Sequence, residues 1–473
     1  MAIPLVTSVV FGEWSAAVDF LIGIAACLVV GLGLEVLCQT TRDLLWMHGL
    51  VTAAFSWLVA TVLGAIPHWL SGHFGSYLDA LFDVMSGYTT TGLYLLQDLD
   101  HVGHGLNMYR LLLTFAGGQG IIVIALTFLV RGTAGAYKMY VGEGKDERLM
   151  PNVVQTARAI WLVSLGYLAV GSLALWITVM LLGQGPVRGF LHAVWFFMSA
   201  WSTGGFAPQS YNAIYYHSLA FEILTAVIFT VGSFNFALHW AVWTGNRVEI
   251  RKNIEIISFF ATLTVAMVIA TTGLMQLRVY PDAVALFRKM FYQVASAHTT
   301  TGLGTFYSRT FVRQWGPLAM LGITLAMAIG ASACSTAGGF KGIRLGIIVK
   351  AMTREIRRMV SPECAMVIEK WHHLTTRVLD DSTIRAACLI VLSYVGIYSL
   401  GTVVGVYYGY DLPSALFDGV SAGSNTGLSC GVTAPTMPTL LKIVYFFEMW
   451  AGRLEFTALF ALGGYIVALF RGR

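Results

Sequence analysis

Six stretches of this chain, residues 16–37, 46–66, 155–183, 218–243, 254–277 and 380–408, stay apolar for about the ~20 residues that a helix needs to cross a bilayer. None alternates as a barrel strand does, and lipid offers a spanning backbone no partner but itself, so each predicts a membrane-spanning helix. Shorter amphipathic segments follow at 78–87, 189–200, 283–297 and 413–422, and each runs into a small polar phrase. The phrases read SGYTTTGL at 86–93, SAWSTGGF at 199–206, SAHTTTGL at 296–303 and SAGSNTGL at 421–428. The stretch 2–12 is apolar but too short to span, which leaves a truncated helix, an interfacial segment or disorder open.

The phrases close on Gly92, Gly205, Gly302 and Gly427, at intervals of 113, 97 and 125 residues. That spacing is long for a solenoid and suits two spans with a short hairpin between them. The letters repeat as well, since AlaLeuPheAsp occurs at 80–83 and again at 415–418. The expectation is an all-α integral membrane protein of four units, each a span, a re-entrant pore helix, a filter-like loop and a returning span. An extra N-terminal helix region covers 1–43; the units cover 44–145, 146–250, 251–362 and 363–473.

Composition agrees with the pattern. Of 473 residues 57% are hydrophobic and only 11% charged, with a mean hydropathy of +0.71, whereas soluble domains are about a quarter charged. The net charge of +5 matters less than its placement. Basic residues gather at Arg131, Lys138, Lys145, Arg148 and Arg158, at Arg247, Arg251 and Lys252, and nine times within 341–385. The positive-inside rule makes these segments cytoplasmic and puts all four phrases on the opposite side. The N-terminus lacks a basic n-region and a small-residue cleavage site, so no signal peptide is expected. Six cysteines without a CxxC pair suggest neither a disulfide framework nor a zinc site. No P-loop, HExxH, GxSxG or strand-following GxGxxG occurs, so no enzyme, nucleotide-binding site or organic cofactor is expected in this chain.

The phrases have the chemistry of an ion path. A cation that leaves water needs oxygens to replace its hydration shell, and rings of backbone carbonyls supply them in potassium pores. Glycine removes the steric cost of the conformations that aim successive carbonyls at one axis, and neighbouring Thr or Ser hydroxyls add oxygens. A short helix ending at that axis presents its negative dipole end. One such phrase alone reads more readily as a helix cap or turn. Four at matching positions favour the ion path.

Further stretches carry a resemblance: Arg110 followed by GGQGIIV at 117–123, GSFNFALH at 232–239, ACSTAGGFK at 333–341 and GRLE at 452–455. With the four phrases, and over nearly the whole chain from about residue 40, the sequence resembles the TrkH/KtrB/HKT superfamily of potassium transporters, above all its bacterial TrkH-type members. The resemblance implies four M1-P-M2 repeats around one pore. Its ion ligands would be carbonyls of Thr90, Thr91 and Gly92, of Thr203, Gly204 and Gly205, of Thr300, Thr301 and Gly302, and of Asn425, Thr426 and Gly427. All four glycines are present, which favours K+ over Na+; the fourth phrase departs most, with Ser424 and Asn425 in place of threonines.

The resemblance also implies a gate. The third return helix, about 317–349, is interrupted by Gly330, Ala331, Ser332, Ala333, Cys334, Ser335, Thr336, Ala337, Gly338 and Gly339, and irregular backbone at membrane depth needs protein or a watery cavity around it. Arg453 lies in the last apolar segment, where a charge costs roughly 2.5 to 3.5 kcal/mol. In the family its counterpart is an electrostatic barrier touching the gating loop; neutralisation by Glu448 or Glu455 is the structural alternative. Implied with these are K+ uptake, a multi-pass place in the bacterial cytoplasmic (inner) membrane, a homodimer, and a nucleotide-binding cytosolic ring of RCK type (TrkA/KtrA-like). A sodium-coupled or sodium-permeable symporter is the alternative function. Membrane lipid is an expected partner for the basic stretch, and nucleic acid is not.

Other residues read more plainly. Arg110 is expected to snorkel to the interface, with Asp83 as an alternative partner. His101 and His104 have metal-like spacing but lack a third ligand. Asp98 and Asp100 concentrate cations at the mouth. His298 is expected to be a packed or interfacial imidazole and not a proton sensor, and Trp46 and Trp69 interface anchors.

Overall fold

The computed structural model describes residues 1–38, 46–96, 98–120, 123, 153–306, 311–362 and 364–471. The basic residues Arg131, Lys138, Lys145 and Arg148 lie outside the described residues, as do the expected unit boundaries at 43/44 and 145/146.

The chain opens with α1 (Ala2–Val10) and α2 (Trp14–Leu37), which form a helical hairpin. The stretch 2–12 is thus an ordered helix. It packs along α5 (His104–Gln119), where Glu13 accepts hydrogen bonds from the N–H groups of His104 and Gly105 at 2.6 and 2.9 Å. Those amides open α5 and have no helical partner of their own, so a carboxylate from outside the helix caps it.

Ahead of α5 come the span α3 (Trp46–Leu70) and the short α4 (Tyr77–Tyr88). The next set is the span α6 (Val153–Leu181), the short α7 (Pro186–Trp201), and a return made of α8 (Leu219–Gly232) and α9 (Phe236–Trp243). The third set is α10 (Glu249–Lys252), the span α11 (Ile254–Gln276), the short α12 (Ala283–His298), α13 (Gly316–Ile329) and α14 (Gly342–Met359). The fourth is the span α15 (Asp381–Tyr407), the short α16 (Leu412–Gly423), α17 (Thr439–Arg453) and α18 (Thr457–Phe470). Five of these helices, α2, α3, α6, α11 and α15, are long and apolar enough to cross a membrane.

Local chemistry starts the short helices where the polar spacing placed them. Ser76, Asp282 and Asp411 stand at N-caps, their side chains accepting from Asp79 N, Ala285 N and Ser414 N, and Pro186 fills the first turn of α7. Outward faces remain apolar: on α2, Leu28, Val29, Leu32, Val36 and Leu37 are all exposed, as lipid requires.

Two expectations are corrected. The run 218–243 is not one straight span, because α8 and α9 meet at 98°. Asn235 caps the new helix by accepting from Ala237 N at 2.8 Å, and Gly232 lies so close to the Trp201 carbonyl that no larger residue fits. The molecule is also not wholly helical. Strands β1 (Lys370–His373) and β2 (Thr375–Val378) form an antiparallel hairpin pairing Lys370 with Val378 and His373 with Thr375 across Leu374. Short and rich in aromatic and β-branched residues, it lies in the basic connection before α15.

Side-chain ion pairs brace neighbouring sets at their outer ends. Lys442 on α17 reaches Asp79 on α4 at 2.6 Å, and Arg288 on α12 takes Glu222 on α8 in a two-pronged pair at 2.7 and 2.9 Å.

Candidate ion path

Each short helix ends in the same hydrogen-bonded cap. The N–H groups of Thr91, Gly204, Thr301 and Thr426 donate five residues back, to the carbonyls of Ser86, Ser199, Ser296 and Ser421, at 2.8 to 2.9 Å. The residues before them, Thr90, Thr203, Thr300 and Asn425, donate three residues back at 3.0 to 3.2 Å. This pair of bonds is the Schellman cap, whose left-handed residue is usually glycine. Here it is threonine three times, with φ of 55°, 50° and 53°, and asparagine once, with φ of 57°. The helix-cap reading and the ion-path reading therefore describe the same segment.

Two residues later the backbone turns left-handed again at Gly92, Gly205, Gly302 and Gly427, with φ of 89°, 70°, 76° and 84°. Their neighbours show why no side chain is present. A Cβ on Gly92 would overlap the Gly204 carbonyl oxygen, one on Gly205 that of Thr301, one on Gly302 that of Thr426, and one on Gly427 that of Thr91. Each glycine thus abuts the main-chain oxygen of the following phrase, and the fourth closes on the first. The four phrases thus meet in one closed ring, and of the twelve candidate filter residues all but the half-buried Gly427 are buried.

Hydroxyls stiffen the ring from within. Thr89 and Thr91 share a hydrogen bond at 2.8 Å, Thr299 and Thr301 another at 2.8 Å, and Ser424 and Thr426 a third at 2.7 Å. The second phrase has Gly204 at that place, and Ser202 bonds the Met198 carbonyl instead. Ser424 and Asn425 leave the fourth phrase with the same backbone. The Asn425 amide donates to Thr91 Oγ1 at 3.0 Å and to the Met449 carbonyl at 2.8 Å, joining the fourth phrase to the first. On the outer side a cavity of about 520 Å³ has all four glycines in its lining.

On the inner side the segment 330–339 lies directly against the ring. Gly330 ends α13 with φ of 70°, and its backbone packs on Gly338 and Gly339 with no room for a Cβ. The turn is tied by Ser332 N to the Ser233 carbonyl, Ser335 Oγ to the Ser332 carbonyl, Ala337 N to Ser335 Oγ and Gly342 N to the Ala331 carbonyl. Buried Cys334 takes a left-handed φ of 51°. Thr336 donates to the Gly232 carbonyl at 2.9 Å and receives Thr203 Oγ1 at 3.2 Å, while Gly338 N donates to Thr300 Oγ1 at 2.7 Å. The left-handed threonines of the ring therefore hold the loop with their hydroxyls.

Arg453 completes this layer. Its Nη1 donates to the Thr336 carbonyl at 2.6 Å, and its Nη2 to the carbonyls of Gly117 and Gly118, at the end of α5, at 2.7 and 3.1 Å. A guanidinium at the C-terminal end of a helix meets the negative end of its dipole. Of the two carboxylates near it in sequence, Glu455 pairs with Arg344, lies 3.7 Å from Lys341 and also interacts electrostatically with Arg453, so its neutralising role stands beside the barrier reading, while Glu448 points at Gly401.

The snorkelling expectation for Arg110 is corrected. Arg110 and Asp83 are both fully buried and bonded at 3.2 Å, His68 Nε2 lies 3.1 Å from the same carboxylate oxygen, and the guanidinium stacks 4.2 Å from the Phe206 ring, next to the second phrase. The apolar neighbours that made the interface attractive form instead a closed shell around a neutralised pair. Asp418, its counterpart in the fourth set, accepts from Cys430 N at 2.6 Å, Ser429 Oγ at 2.7 Å and Thr433 N at 2.9 Å, pinning the loop that leaves the fourth phrase. Both carboxylates brace the ring from behind; the Arg110–Asp83 pair is the alternative the sequence offered, whereas the role of Asp418 was missed although the repeated AlaLeuPheAsp was its signal.

Of the two placements expected for His298 the packed one holds, with Nε2 at 2.7 Å from Thr262 Oγ1 and Phe259 edge-on. His101 lies beside Asp98 and His104 beside Glu13, and among the described residues no group of three or more His, Cys, Asp or Glu side chains is arranged for a metal.

Comparison with known proteins matches residues 16–462 to the family model of TrkH, described as a cation transport protein. An uncharacterised cation transporter of Methanocaldococcus jannaschii is 29% identical over 96% of this chain and 89% of its own. The Trk system potassium uptake protein TrkH of Salmonella typhimurium is 28% identical over 88% of this chain and 84% of its own. The crystal structure of the potassium transporter TrkH from Vibrio parahaemolyticus superposes with a TM-score of 0.80 at 23% identity, covering 98% of this chain and 95% of that one, a likeness of fold.

Proposed function

Because the chain belongs to the TrkH family of cation transport proteins, which are multi-pass transporters of the cytoplasmic membrane and not enzymes, we propose that it takes up potassium through one central path. In this reading four M1-P-M2 repeats surround one pore, and the carbonyls of the twelve ring residues replace the water of a dehydrating K+. The segment 330–339 and Arg453 close the path below the ring, the loop as a steric plug and the guanidinium as a positive barrier to a cation. The observation that carries the reading is the closed order of the ring, in which each phrase sets its glycine against the next phrase's carbonyl. A set of unrelated helix caps has no reason to close on itself. A second copy and a nucleotide-binding cytosolic ring are the partners this reading expects, the latter supported by the exposed basic residues of 341–385.

Complementation tests it: this chain, expressed in a bacterium lacking potassium uptake systems, restores growth at low K+, and purified protein in liposomes accumulates Rb+. Uptake that proceeds without Na+ separates this reading from the sodium-coupled one. Absence of Rb+ uptake in folded, reconstituted protein, with and without Na+ and a cytosolic regulator, overturns it.

A further inference from the structure

Glu255 is the second residue of α11 and only 2% exposed, and the ion path described above does not use it. Its Oε1 accepts from Ala333 N at 2.7 Å, a bond into the middle of the intramembrane loop. Its Oε2 stands 3.9 Å from His373 Nδ1, at the end of β1, and that same nitrogen lies 3.1 Å from Asn253 Oδ1. Asn253 caps α11 and so fixes the turn on which Glu255 sits, accepting Glu255 N at 3.0 Å. One residue earlier, His372 Nε2 lies 3.1 and 3.2 Å from the two Glu249 oxygens on α10. The turn end of the hairpin is hooked onto the carboxylate that holds the loop.

The base of the hairpin is fastened elsewhere. Glu369 takes Lys350 at 2.7 Å and Arg357 at 2.9 Å, both from α14, the helix that leaves the loop. Trp371 packs in one cluster with Ile347 and Ala351 of α14 and Ile254 of α11. A single small cytoplasmic element therefore grips the loop from two directions, at Ala333 through Glu255 and beyond Gly339 through α14.

A carboxylate accepting an amide N–H in a dry setting makes a stronger bond than a neutral acceptor, and removing it leaves a buried donor without its partner. We propose that Glu255 is a positioning residue for the loop, opposed to Arg453 across it, and that the hairpin Lys370–Val378 is the lever by which a change at the cytoplasmic face reaches the loop. The inference rests on the reading of 330–339 as the gate.

The test is Rb+ uptake into liposomes by the full-length chain and its E255A, E255Q, H373A and R453A variants, with thermal unfolding in detergent as the fold control. E255A is expected to raise basal uptake about tenfold, equivalent to a bias of about 1.4 kcal/mol toward the closed state. E255Q keeps an acceptor for Ala333 N and is expected to restore uptake to within about twofold of the unsubstituted protein, a rescue that simple loss of fold would not give. H373A, which unhooks the hairpin but leaves the Ala333 bond, is expected to raise uptake about threefold and remains readable should E255A not fold. R453A raising uptake while E255A and H373A leave it unchanged overturns this inference and leaves the gate reading standing. If none of the three raises uptake, the gate reading falls and this inference falls with it.

Discussion

A threonine in the left-handed region carries about 1–3 kcal/mol of strain, and here three threonines and an asparagine adopt it at the same place in four phrases. Strain repeated in register is retained for what it aims: the hydroxyls of Thr203 and Thr300 turn toward the loop, and on the proposed reading the carbonyls turn toward the ion path. Residue types announced part of this. Polar phrases ending in glycine stood out against apolar surroundings, whereas the reason for glycine did not, because the atom it must avoid belongs to another phrase far away in the sequence. Gly302→Ala separates the two demands on such a position. At Gly409, with φ of 90° and open space around it, a methyl group meets only backbone strain, so Gly409→Ala is expected to cost about 1–2 kcal/mol of stability and leave uptake intact. At Gly302 the methyl group also meets the Thr426 carbonyl, and Rb+ uptake is expected to fall at least about tenfold with K+/Na+ discrimination lost. Equal effects of the two substitutions on uptake would remove close approach as the explanation.

Between residues and the whole lie the helices, and their starts were more legible than their breaks. Ser76, Asp282 and Asp411 cap short helices within a residue or two of where periodicity put them. The 98° bend between α8 and α9 and the 113° bend between α17 and α18 were invisible, since hydropathy continues through both and only tertiary neighbours set the break. The braces between helices were equally hidden, for a lysine and an aspartate 363 positions apart carry no sequence signal of pairing. Their energies differ by burial. Asp79 and Lys442 are 8% and 10% exposed at the side chain, so Lys442→Met strands a buried carboxylate and is expected to cost about 3–5 kcal/mol. Arg288 is 35% exposed, and Lys289 at 3.6 Å still attends Glu222 when Arg288 is removed. Arg288→Met is expected to cost less than half as much, about 1 kcal/mol. Thermal unfolding in detergent ranks the two, and the reverse order would show that burial does not set the strength of these braces.

Taken as a whole, the molecule has a cavity on one side of the ring and the loop with Arg453 on the other, with the ring's own threonines bonded to the loop. On the proposed reading, in which the loop closes the inner end of the ring, transport requires the loop to withdraw and those hydroxyls to exchange their partners. The chain carries a built-in reporter of that movement, because Cys334 sits in the loop and is buried while the ring bonds hold. Withdrawal must bring its thiol into the water of the cytoplasmic side. A membrane-impermeant cationic thiol reagent applied from that side is therefore expected to modify Cys334 slowly in the unsubstituted protein, and about tenfold faster in R453A, where the Thr336 carbonyl loses its guanidinium donor. The exposed Cys38 and Cys364 are replaced by serine beforehand so that the signal belongs to the loop, and Cys334→Ser supplies the blank. Rates that stay equal in R453A while its Rb+ uptake rises would place the moving barrier somewhere other than the loop, and the ring would then need a different element to close it.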